Sequence, residues 1–594
     1  LVEFESALDA TQCAVEIQEF LQEYNISSSD DWKIKLRIGI HLGDVIHKSN
    51  DVFGDAVNIA SRIQPLADPE GICISAQVFD QIQNKIEYHL KRLERPGLKN
   101  VKYGTQVYKL VLPWETSKRK EAPRRKTPSL VKRRITVLPF ENISPNPNDA
   151  YFSDGMTEEL ISTISKISGL QVIARTSVIR YKGSKKGIDE IGRELRSGTV
   201  LEGSVRMAGD RLRVTAQLVE AQSNRHIWSD SYDRKLGDVF DIQSEIAKRI
   251  ADVLQVKLLR DETVMVESKP TENMDAYTLY LKATQKLADR TKPAMMEAID
   301  LYERAIEEDP RFSRAYAGLA TTYHILWDHG HLSSGEALPK VSEYSMRALE
   351  LDPNSAEAHT CLAAVLEQSY DSPAAEREFR FAISLNPNYA TAHHWYALCL
   401  ISLQRPLEAI EELKKALVAD PLSPMIGAVL GSAYFSAGML EEAWKQLEDT
   451  LKLEPGFWIP YFFRALWLIK LSRLDEAERE LSRGLIFSPG HPELTSTLAY
   501  VHARKGKTAD AKKVLGALLK TRREDRTGDF VSAKFIAIAY AGLHDTERSL
   551  EYLEVSVKEK TINTYSLLYY PQFDDFRADP RFKEILRQAN IEPA

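Results

Sequence analysis

The sequence predicts a multidomain protein: a partial α/β domain, a second α/β domain and an all-α superhelix. Three observations predict it. The chain has 594 residues, more than one hydrophobic core organises. Residues 1–112 and 135–260 alternate extended apolar runs with amphipathic stretches, the pattern of sheets covered by helices. Prolines at 310, 353, 387, 421, 455 and 489 follow one another at an interval of 43 and then of 34 residues, and a fixed period of that size marks stacked helical repeats. A composition of 43% hydrophobic and 27% charged residues excludes a disordered or fibrous chain. The net charge of −7 supplies no basic field for nucleic acid, and no apolar run of about 18 residues predicts a membrane span. Four cysteines lie far apart without a C-x-x-C pair. They read as reduced thiols in a cytoplasmic protein, not as zinc ligands or a redox couple.

In the first domain (1–112), Leu1–Phe4, Lys35–Ile46, Gly71–Ser75 and Val107–Val111 read as strands. A helix is expected from Ser6 to about Tyr24, with Ala7, Ala10, Ala14, Ile17 and Leu21 on one face, and another over Val57–Leu66. A chain whose first residues already read as a strand leads us to expect further sequence upstream. Residues 113–134 form a linker; its basic stretch Lys118–Arg134, with Pro123 and Pro128, reads as a solvated tether. The second domain (135–260) has strands over Ile135–Phe140, Gln171–Ala174, Thr199–Arg206, Arg211–Glu220 and His226–Tyr232. Helices are expected over Thr157–Ile167, Ile188–Leu195 and Asp241–Leu258, and Gly209-Asp210 predicts a hairpin turn. From 270 to 594, small residues recur in register: Ala375, Ala409, Ala443, Ala477 and Ala511 in one column, Ala363, Ala397, Gly431, Ala465 and Ala499 in another. Small residues at fixed phase let paired helices pack closely. The 43-residue unit predicts an insertion near Trp327–Glu336, and the weaker period beyond Lys520 predicts capping helices.

The chemistry is concentrated in Arg37, Gly39, His41, Gly43 and Asp44, followed by Asp51, Phe53, Gly54, Asp55, Asn58 and Arg62. Asn58 and Arg62 stand four residues apart, on one face of a helix. This stretch, with the ending Leu98–Asn100 and Val107-Tyr108, resembles the C-terminal half of class III adenylate/guanylate cyclase catalytic domains. The resemblance implies that Arg62 stabilises charge on the phosphates during cyclisation, that Asn58 orients the ribose and that Asp51 accepts from the purine amino group, favouring adenine. It also implies that Phe53 and Gly54 line the substrate site, that the substrate is ATP, and that the domain works as a homodimer. The family uses Mg2+ or Mn2+ held by two aspartates upstream of the strand matched here by Leu1–Phe4. Neither aspartate is present, so this chain by itself is expected to be inactive.

Residues 135–260, through Val137–Asn142, Phe152–Gly155, Gly192–Leu195, Leu201–Val205 and Arg213–Leu218, resemble the N-terminal domain of TolB. No chemistry is assigned to them. The 34-residue period is that of tetratricopeptide (TPR) repeats, about seven or eight of them, whose groove is expected to take a protein or peptide ligand. Three further signals carry less. Gly506-Lys507-Thr508 lacks the upstream glycine of a phosphate loop, Lys182–Gly187 reads as a solvated basic turn, and His393 and His394 point in different directions on a helix. The competing reading is a non-catalytic TPR scaffold that uses a cyclase remnant for dimerisation.

Overall fold

The computed structural model describes residues 2–27, 34–48, 51–83, 85–86, 88–93, 106–112, 131–524 and 531–592. The basic tether between 113 and 130, Leu98–Asn100, Leu1 and the side chains of Asp51 and Phe53 lie outside the described residues. The chain forms two compact units, residues 1–126 and 127–594.

In the first unit, helix α1 (Ala7–Ser27) packs Ala7, Ala14 and Val15 against a four-stranded sheet. The sheet order is β1 (Ile38–Ile40), β4 (Ile72–Ser75), β6 (Val107–Val111), β5 (His89–Arg92). β1 runs parallel to β4, and β6 is antiparallel to both β4 and β5. β2 (Ile46–Lys48) and β3 (Asp51–Phe53) form a separate antiparallel pair leading into α2 (Asp55–Ile63). After β4, α3 (Ala76–Ile82) turns Val78 and Ile82 into the core. Two expectations are corrected. Residues 2–4 form no strand, and Val2 is 75% exposed. The run Lys35–Ile46 is not one strand: β1 ends at Ile40 and β2 begins at Ile46. Between them the chain follows α2, close enough that a Cβ on Gly43 would stand 2.9 Å from that of Ala56.

The second unit opens with a six-stranded sheet ordered β12 (Arg225–Lys235), β11 (Arg211–Glu220), β10 (Ser197–Ala208), β7 (Val131–Val137), β9 (Gln171–Val172), with β8 (Glu141–Asn142) also on β10. The meander β10–β11–β12 is antiparallel, and Gly209, at φ +64°, makes its first turn as expected. β7 lies parallel to β10 and β9. Helix α4 (Ala150–Ser165) starts earlier than the sequence implied and buries Phe152, Met156, Leu160 and Ile164 on the sheet. Short α5 (Arg175–Val178) follows β9, α6 (Ile188–Leu195) precedes β10, and α7 (Val239–Val253) and α8 (Arg260–Glu267) close the layer.

The array then runs through α9 (Met274–Ala288), α10 (Lys292–Glu308), α11 (Ser313–Asp328), α12 (Ser334–Leu351), α13 (Ala356–Gln368), α14 (Ser372–Leu385), α15 (Ala390–Ser402), α16 (Pro406–Ala419) and further pairs. Ala363, Ala375, Ala397, Ala409, Ala443, Ala465, Ala477, Ala499 and Ala511 are fully buried, as the columns require. The 43-residue unit lengthens its helices as well as its turn: α11 and α12 have 16 and 18 residues where α13 and α14 have 13 and 14.

The residue before each repeat proline is extended, with φ between −130° and −141° from Asp309 to Ser488, because proline's ring excludes the helical region there. The turns at Pro387 and Pro421 grip the α/β layer. Asn386 donates to Ser165 Oγ (3.1 Å), and Asn388 donates to the Ser165 and Leu170 carbonyls and accepts from the Val172 N–H (3.3 Å). Asp420 accepts from Thr176 and Ser177, and Ala174 N–H donates to the Ala419 carbonyl (2.8 Å). Arg314 on α11 pairs with Glu159 on α4. One core runs from Leu160 through Tyr277 to Leu319.

The chain's own C-terminal segment engages the array as well. Gln368 donates to the Lys560 carbonyl (2.6 Å), Ser432 to the Tyr565 hydroxyl (2.7 Å) and Gln572 to Thr497 (3.3 Å). Residues Gln368, Ser432 and Thr497 of the array are thus bonded within the chain.

Candidate functional site

The predicted site is built on the passage from β3 to α2. The hairpin sets Lys48 opposite Asp51 and Ile46 opposite Phe53. Gly54 then takes φ +149°, a conformation that side chains rarely adopt, and a Cβ there would meet the Asp44 carbonyl at 2.9 Å. Gly54 is the N-cap of α2, and its carbonyl accepts from the Asn58 N–H (3.3 Å). Asp55 in the first turn complements the helix dipole.

α2 is held by its apolar face. Ala56 and Ile63 are buried, and Ile59 packs with Ile63 against Cys73 and Val107. Its last turn lies directly on β1: a Cβ on Gly39 would stand 2.4 Å from Gln64 N and 2.7 Å from the Ala60 carbonyl. With that face fixed, Asn58, Ser61 and Arg62 are left exposed. The structure therefore brings Asn58 and Arg62 to one open side of α2, one turn apart. Arg62 has no ion-pair partner among the described residues, so its guanidinium is free to meet an anion. The side chains of Asp51 and Phe53 are outside the described residues, so only their backbone positions, on the strand entering Gly54, are fixed.

His41, which the sequence analysis gave no role, sits beside this edge. Its Nε2 would lie 3.6 Å from a Cβ on Gly43, its Nδ1 is buried without a partner among the described residues, and burial pushes its pKa down. The signal that could have found it is its place between Gly39 and Gly43, where the chain bends under α2. No group of three or more His, Cys, Asp or Glu side chains fit to hold a metal ion occurs among the described residues.

The signals set aside in the sequence have structural partners. Lys507 is bonded to Glu478 (2.7 Å), Lys182 to Asp154, and His393 to Glu412. Cys73, Cys361 and Cys399 are buried, and burial pushes the Cys361 thiol up to about 12. No helix among the described residues is long and apolar enough to cross a membrane.

Residues 2–111 match the adenylate and guanylate cyclase catalytic domain family, 131–249 the second domain of HilA/YgeH-like transcriptional regulators, and 362–424 a tetratricopeptide repeat family. The middle match names a relative other than TolB, so the TolB resemblance gains no support from it. The Rhizobium meliloti protein named "Putative adenylate cyclase 3" is 34% identical over 375 residues, 62% of this chain and 63% of that protein. The transcriptional regulator HilA of Salmonella typhimurium is 22% identical over 340 residues, 55% of this chain and 53% of that protein. The chain thus spans less than two thirds of the curated relatives it matches. A crystal structure of an adenylate/guanylate cyclase/hydrolase from Silicibacter pomeroyi is 33% identical, with a TM-score of 0.18, and covers 18% of this chain and 65% of that one.

Proposed function

We propose that this chain, which carries an adenylate/guanylate cyclase catalytic domain match ahead of tetratricopeptide repeats, is part of an adenylate cyclase-type signalling protein. The reaction is attack of the ribose 3′-oxygen of ATP on the α-phosphorus, which forms cyclic AMP and expels pyrophosphate. Negative charge grows on the phosphate oxygens as the new bond forms. The role of Arg62 is to stabilise that charge with a preorganised guanidinium. Asn58, one turn before it, orients the ribose. Asp51 accepts from the adenine amino group, and Phe53 and Gly54 line the nucleotide site. The observation that carries this reading is the open edge of α2, with Asn58 and Arg62 exposed on one side and the guanidinium without an ion-pair partner among the described residues. The repeats serve as the arm that docks or senses, the protein is cytoplasmic, and the cyclase domain works as a homodimer.

The experiment is a cyclic nucleotide assay with ATP and GTP side by side. This chain alone forms no cyclic AMP with Mg2+ or Mn2+, because its described residues do not furnish the metal donors. In a protein that also carries the two metal-binding aspartates, Asp51→Ala erodes the preference for ATP over GTP. Cyclic AMP from the chain alone would refute the first statement; an intact preference would refute the role of Asp51. The scaffold reading, in which the domain only dimerises, draws on the same donor set.

A further inference from the structure

Two histidines hold the same place in successive repeats. His359 follows Pro353 by six residues on α13, and His393 follows Pro387 by six on α15. Each spans two helices in one geometry. His359 Nδ1 lies 2.6 Å from Glu378 Oε2 and its Nε2 3.0 Å from the Pro353 carbonyl. His393 Nδ1 lies 2.6 Å from Glu412 Oε2 and its Nε2 3.0 Å from the Pro387 carbonyl. A carbonyl oxygen only accepts, and so does an ionised carboxylate. A neutral imidazole has one N–H and can serve one of the two; only the imidazolium donates to both. Tyr316 and Tyr461 occupy the same register position, and each donates its hydroxyl to the proline carbonyl alone, at 3.4 and 3.1 Å. The histidine version adds a carboxylate and thereby a dependence on the proton.

The environment favours ionised partners. The His393 side chain is 4% exposed and that of Glu412 14%. Burial would raise the Glu412 carboxyl, but the hydrogen bonds from His393 and Lys415 hold it below its ordinary range. The charged groups facing His393 are Glu412 and Lys415 on α16. The charged group facing His359 is Glu378 on α14. The Phe381 ring packs edge-on against His359.

The carbonyls so held belong to two of the proline turns. Pro387 lies between Asn386 and Asn388, which bond Ser165, Leu170 and Val172, and Pro353 follows Asp352, whose charge acts on Lys166 of the α/β layer. We propose that His359 and His393 are proton-dependent staples that brace these two turns, so that the joint between the α/β layer and the repeats is tighter with both rings protonated and looser when they have lost the proton. The direction follows from the bonding. Protonated, each ring satisfies both acceptors; on losing a proton it gives one of the two bonds up. This inference stands independently of the cyclase reading.

The test is hydrogen exchange on the full chain at pH 6 and pH 8, corrected for the intrinsic pH dependence of exchange. The reporters are the Val172 amide, bonded to Asn388, and the Ala174 amide, bonded to Ala419. Loss of one hydrogen bond's net contribution, about 0.5–1.5 kcal/mol, converts to about 2- to 10-fold faster exchange at pH 8 for Val172. Ala174, held by a turn without a staple, changes less. In E378Q/E412Q the amide can donate to a neutral ring, so the pH dependence at Val172 disappears while protection is kept. In H359Q/H393Q protection is low at both pH values. A wild-type Val172 amide equally protected at pH 6 and pH 8, or a dependence that persists in either double variant, would overturn the proposal.

Discussion

Glu158 shows how one residue at the joint sets a pH response. It lies on α4, 3.4 Å from Arg175, with 35% of its side-chain surface accessible. Burial pushes its carboxyl from 4.5 up to about 7; Arg175 pulls the other way, while Glu159 and Asp154 add to the rise. The folded chain therefore keeps a proton that the unfolded chain has released between about pH 4.5 and 7. Stability must fall as pH rises through that window, since the native state binds the extra proton. Glu158→Gln removes the group, so the variant loses less stability than wild type between pH 5 and 8 in thermal unfolding. Parallel pH profiles would contradict the assignment. The residues of the candidate site were legible because Gly54, Asn58 and Arg62 are close in sequence and a helix fixes their phase. His41 was not, since its burial depends on the bend at Gly43 and on α2, elements a local reading does not assemble.

Among elements, the repeat helices are set by close approach at alanine. Ala397 on α15 is fully buried, in one cluster with Ala363, Ala375 and Ala409. Ala397→Leu adds volume where helices already touch, which costs about 1–3 kcal/mol by overpacking. A lowered unfolding midpoint checks it; a midpoint equal to wild type would mean the column does not set the spacing. The repeats were readable because each unit makes its main contacts with its neighbours, and the period repeats the same constraints every 34 residues. The first unit was less readable. β1, β2 and β3 are three residues each, too short to show alternation, and α3 follows β4 without a break. Residues 2–4, where Val2 and Phe4 flank Glu3, pair with no strand among the described residues.

The whole molecule is organised as two units, and the second fuses the α/β layer to the repeats through a shared core and the proline turns. That joint was invisible in the sequence. Val172 and Asn388 are 216 residues apart, and nothing local in Asn386 or Asp420 distinguishes a docking turn from a solvated one. The same fold-back explains why Gln368 and Ser432 are bonded to the C-terminal segment. The first unit presents the open edge of α2 on a rigid footing: Gly39 sets the helix on β1, and Gly54 sets its entry. In the proposed function this edge meets the phosphates of a nucleotide. Its most direct test is the rate of cyclic AMP formation by Arg62→Ala in a protein that also carries the metal-binding aspartates, with thermal unfolding measured alongside. Arg62 is exposed and without an ion pair among the described residues, so its removal leaves stability within about 0.5 kcal/mol. The turnover number falls by about 100- to 1,000-fold, the scale of losing one preorganised donor to a developing negative charge. Turnover equal to wild type in a stably folded variant would contradict the claim.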